Sequence, residues 1–99
     1  MNARQIEDVL LKRCIRVACN TDVVVDDLRE ANVFRVAGMI LQSRFPLAAT
    51  NLMRACDQYF ALHPLDKLPA AAVVQRGWVA SLPRLRDMLS RNLQARSLP

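Results

Sequence analysis

Apolar residues recur along the chain at three-and-four spacing, in segments separated by short polar or proline-containing breaks, which is the pattern of packed amphipathic helices. Ile6, Val9, Leu10, Cys14 and Val17 share one helical face and predict a first helix from Gln5 to Ala18. Asn20, Thr21 and Asp22 then form a break, and their short side chains are candidate caps for the next helix. Helical spacing resumes through Leu28, Ala31, Phe34 or Arg35, Val36, Met39 and Ile40, with Asp26, Asp27, Arg29 and Glu30 outside. It predicts a helix over 22–43, either continuous or broken near Asn32. The run Val23-Val24-Val25 is stiff at χ1 and suits extended chain, so a short strand is the local alternative, though it would lack a partner strand.

A tight corner is predicted at Ser43-Arg44-Phe45-Pro46, because proline is tolerated in the first turn of a helix, where amides lack intrahelical partners. The helix over 46–62 should bury Ala48, Ala49, Leu52, Ala55, Cys56 and Tyr59. His63 closes it, since a residue before proline is pushed out of the α region. That makes His63 a terminator; no nucleophile or carboxylate stands out as a catalytic partner for it. Pro69 opens a short helix, AAAVVQR, and Gly77 ends it by taking the left-handed conformation. Ser81 can cap the last helix, in which Leu82, Leu85, Met88, Leu89 and Leu93 share a face and Asp87 is within reach of Arg84 and Arg91; residues 94–99 should fray. Pro83 follows Pro46 by thirty-seven residues in a second helix–corner–helix plan, which suggests a helical repeat. The expected fold is all-α, five or six helices in stacked antiparallel hairpins, as a single domain over 1–99.

Composition narrows the function classes. Hydrophobic residues make up 53% of the 99-residue chain and aromatics only 5%, so aliphatic side chains must build a thin core, which favours helices over a β sandwich. No apolar run reaches the roughly eighteen residues of a membrane span. The opening MNARQIEDVL has acidic residues where a signal peptide would be basic then apolar, so a cytoplasmic location is expected. Cys14, Cys19 and Cys56 are too few and too scattered for a disulfide framework and read as reduced, buried thiols. Cys14 and Cys19 lie on different helical faces, and no CxxC or HxxxH pair anchors a metal site with His63. With no Ser/His/Asp set, paired acids or phosphate loop, no enzyme, catalytic residue, cofactor or metal is expected.

Charge is uneven. Residues 1–33 carry five basic and six acidic groups, 34–66 three and two, and 67–99 six and one, so the surplus behind the net +5 lies in the last third. A basic C-terminal helix can grip phosphates or an acidic partner, or simply be a solvated face. In a helix-turn-helix reading, Ala70–Arg76 is the first helix and Leu82–Leu93 presents Arg84, Arg86 and Arg91 to nucleic acid. The link from Gly77 to Ser81 is long for that turn, and Pro83 stands where base reading should begin. Trp78 is either the plug of the last hairpin or an anchor in a binding groove. Met39, Met53 and Met88 carry the same ambiguity between core and groove.

The run FRVAGMILQSRFPLAA, through Arg35, Ala37, Gly38, Gln42, Ser43, Arg44, Phe45 and Ala48, resembles the central hairpin of the needle-subunit chaperones of bacterial type III secretion, the YscG/PscG type. GWVASLPRLRDML is similar to that family's last hairpin through Gly77, Ala80, Ser81, Leu82, Arg84 and Leu89. The resemblance implies a tetratricopeptide-like array whose apolar groove holds the amphipathic helix of a secreted needle subunit, with a small helical co-chaperone completing the complex. On that implication the groove-lining candidates are Val36, Met39, Ile40, Val73 and Trp78. A homo-oligomer, and a small anti-activator docking on a partner protein, are the other protein-binding alternatives.

Overall fold

Capping and β-branching decide where the second helix begins, and with it the shape of the N-terminal half. The computed structural model describes residues 3–20, 22–78 and 82–97. Among these residues five α-helices run in chain order as α1 (Ala3–Cys19), α2 (Leu28–Leu41), α3 (Pro46–Leu62), α4 (Ala70–Gln75) and α5 (Leu82–Ser97), with a 3-10 turn at Pro64–Asp66. Among the described residues no strand forms, so the fold is all-α.

The helix expected from residue 22 starts at Leu28 instead. Asp27 is its N-cap, with extended backbone at φ −127° and ψ 134°, and its carboxylate accepts from the Glu30 amide at 2.9 Å. That bond satisfies a free first-turn amide, and Asp22 is left outside the helix. Val23, Val24 and Val25 lie outside any helix, as χ1 stiffness favours, and pair with no strand among the described residues. Alternation along this stretch buries Val25 and exposes Val24. The Arg13 guanidinium holds the segment by donating to the Val24 carbonyl at 3.1 Å and to the Glu30 carboxylate at 3.0 and 3.3 Å. Once started, α2 runs unbroken through Asn32.

The predicted corner and the predicted span of α3 both form. Amides of Arg44 and Phe45 donate to the Leu41 carbonyl, and Pro46 opens α3 after Phe45, whose backbone is at φ −131° and ψ 69°. All six residues expected inside α3 are buried. Gly38 lets α2 approach closely: a Cβ there would stand 2.8 Å from Met53 Cγ and 3.4 Å from the Ala49 carbonyl oxygen. The α2–α3 hairpin is the centre of the core, with Phe34, Leu41, Leu52 and Cys56 fully enclosed.

Around it, α1 packs on α3, α4 on α2, and α5 on α1, so the last two helices attach to different members of the central bundle. Among the described side chains of α1, Leu11, Cys14, Val17 and Ala18 are buried. Cys14 and Val17 are inside as expected and Leu10 packs partly buried against the core, whereas Val9 turns outward while Leu11 and Ala18 are buried, because α1 is covered by both α3 and α5. Asn51 of α3 closes the end of α1 by donating to the Ala18 carbonyl at 2.8 Å. Gly77 has φ +72°, the left-handed turn expected after α4. Helix α5 buries Leu85 and Leu89 and continues to Ser97, past the predicted fray at 94. Thr21 and Ser81, two cap candidates, lie outside the described residues, as do the side chains of Ile6, Leu82 and Leu93.

Candidate functional site

The five predicted groove residues separate into three environments. Val36 and Val73 are buried in the common core and present no surface, a correction to their expected place in a groove. They point inward because α4 docks on α2 and closes over that face. Met39 and Ile40, adjacent near the end of α2, are 49% and 37% exposed. Trp78 is half-buried against the core, with the guanidinium carbons of Arg29 and Arg76 at 5.4 and 5.2 Å from its ring centre. Arg29 Nε is buried with no hydrogen-bond partner among the described residues, so the Trp78 ring face is the attractive group it meets. Trp78 thus joins the loop after α4 to the first turn of α2. Met53 and Met88 are both half-buried.

Two surface hollows were not foreseen. The first, about 500 Å³, lies between α1, the segment before α2 and the start of α2, where Val9, Leu10 and Val24 meet the charged side chains of Arg13, Asp26, Asp27, Arg29 and Glu30. The second, about 320 Å³, is lined by Val24, Val25 and Asp26 on one side and by Tyr59, Leu62 and His63 at the end of α3 on the other. Val24 and Asp26 face both. Period-two alternation in Val23–Val25 is the sequence signal that could have placed Val24 outside; nothing local marks Leu62 as exposed.

A polar clamp fixes the wall of the second hollow. Asn32, fully buried on α2, donates to the carbonyls of Leu28 and Asp66 at 2.9 and 3.0 Å and accepts from the Leu68 amide at 2.9 Å. Arg35 donates to the Leu68 carbonyl. The Tyr59 hydroxyl donates to the Asp66 carboxylate at 2.7 Å, and His63 stacks on the Tyr59 ring at 4.5 Å between centroids. Donation to Asp66, with burial adding to it, pushes the Tyr59 hydroxyl up to about 12. Burial likewise pushes the Cys56 thiol up to about 12 and raises Cys14 strongly, so both are neutral and unreactive at neutral pH. No disulfide joins the three cysteines.

The basic C-terminal third is partly engaged. Arg84 donates to Asp8 of α1 at 2.7 Å, a tie across helices in place of the Asp87 pairing expected within α5, while Arg86 and Arg91 are exposed. Among the described residues no group of three or more His, Cys, Asp and Glu side chains could hold a metal ion, and no described helix is long and apolar enough to cross a membrane. No known protein family, curated protein or solved structure matches the chain.

Proposed function

We propose that the chain is a non-catalytic protein-binding module, a cytoplasmic type III secretion chaperone that sequesters a helical needle subunit on an apolar surface. The observation that carries the protein-binding part is the adjacent pair Met39 and Ile40, both exposed near the end of α2, a helix of 14 residues of which eight are buried. An apolar pair on a rigid helix is a surface that an amphipathic helix can cover, and methionine adapts to the shape of what it meets. The client class rests on the resemblance of the runs over 34–49 and 77–89, and a small helical co-chaperone belongs to the same proposal. Arg84 is already committed to Asp8, which weakens the rival helix-turn-helix use of α5. Affinity capture from the source cell followed by mass spectrometry tests the proposal. A small secreted helical subunit is the expected catch, and recovery of a transcription factor or nucleic acid alone would sink the idea.

A further inference from the structure

The two hollows that meet at Val24 form one continuous surface with its own chemistry. Val9, Val24 and Leu62 are 52%, 65% and 80% exposed, and Val24 links the other two because it lines both hollows. Val24 faces out between Val25, buried in the core, and Val23, partly buried against it. The polar rim has a definite sign. Of the charged residues that line the two hollows, the acids Asp26, Asp27 and Glu30 outnumber the bases Arg13 and Arg29 by one, in a chain whose net charge is +5. Of the nearby bases, Arg13 is held by Glu30 and Arg29 lies over Trp78. His63 lines the second hollow, and Asp26 is exposed between the two.

We infer that this surface docks a helix of another protein that carries apolar side chains along one face and lysine or arginine beside them. The apolar anchors would seat in the hollows on either side of Val24, and the flanking bases would meet Asp26 and Asp27. Carboxylates at this position repel a phosphate backbone, so the occupant is a protein helix and not nucleic acid. The inference rests on the protein-binding reading, but it does not require the partner to be a secreted subunit.

A peptide titration with the full chain tests it. The probes are labelled amphipathic peptides of about 18 residues, one of Leu and Lys and one of Leu and Glu, both with the same apolar face. The overall charge of +5 favours the acidic peptide, whereas the local rim favours the basic one, so the two accounts predict opposite orders. The basic peptide should bind about tenfold more tightly at low salt and lose its advantage as salt rises. Asp26→Asn with Asp27→Asn should weaken it roughly threefold to tenfold. Asparagine caps a helix as well as aspartate does, so α2 keeps its start in this variant. Val24→Ser with Leu62→Ser should weaken both peptides. The inference is overturned if the acidic peptide binds equally or better, or if either double variant leaves basic-peptide binding unchanged. It is also overturned if the chain self-associates and Val24→Ser with Leu62→Ser makes it monomeric, for the occupant is then a second copy. Failure to recover a secreted subunit from cells would strike the chaperone proposal alone.

Discussion

Asn32 shows most clearly how one residue can fix a loop that the sequence leaves open. Its side-chain amide satisfies two carbonyls and one amide in the interior, and no apolar residue of similar size can do this. Asn32→Leu should therefore lower unfolding free energy by about 2–4 kcal/mol in urea titrations, because it leaves the backbone groups of Asp66 and Leu68 buried and unpaired. Tyr59 and the buried thiols add a pH signature. Each folded pKa is raised, from 10.0 to about 12 for Tyr59 and from 9.0 to about 12 for Cys56. The folded state therefore prefers the protonated forms. Their contribution is complete below about pH 9 and is lost as pH rises toward about 12. Urea midpoints should hold steady up to about pH 9 and then fall, and Tyr59→Phe should flatten the part of that fall above about pH 10. At this scale the buried face of α3 was legible except for Phe60, which is also inside. Asn32 was not, since its partners at Asp66 and Leu68 are 34 and 36 positions away.

Among the elements, the α2–α3 hairpin depends on a glycine. Gly38→Val would place methyl groups where Met53 Cγ and the Ala49 carbonyl already stand, so overpacking should cost about 1–3 kcal/mol in thermal or chemical unfolding. Unchanged stability would mean that the helices can separate freely at this point. The corner and α3 were readable because Pro46, His63 and Pro64 act locally on the backbone. The start of α2 was misplaced because two sets of capping residues compete there, Asn20 to Asp22 and Asp27 with Glu30 three positions on. The β-branched valines between them settle the competition, since extended chain suits them better than another turn of helix. Val9 was assigned to the wrong side because α1 offers two adjacent apolar stripes, and only the positions of α3 and α5 determine which is covered.

At the scale of the molecule, a small basic chain carries an apolar surface bordered by Asp26 and Asp27, and an exposed Met39–Ile40 pair on α2. All-helical packing was foreseeable from hydrophobic periodicity. Which apolar residues remain outside was not, because that depends on helices far apart in sequence: Val36 and Val73 are enclosed by the docking of α4 on α2, while Met39 and Ile40 escape it. The central claim is that the chain acts by binding a helical partner through side chains its own core leaves uncovered. Its most direct test is parallel affinity capture with the natural chain and with Met39→Lys combined with Ile40→Lys, after thermal unfolding shows that both are folded. The account predicts that the natural chain retains a small helical secreted subunit and that the variant retains roughly tenfold less. Equal recovery of that subunit by both proteins, or recovery of nucleic acid alone by the natural chain, would contradict it.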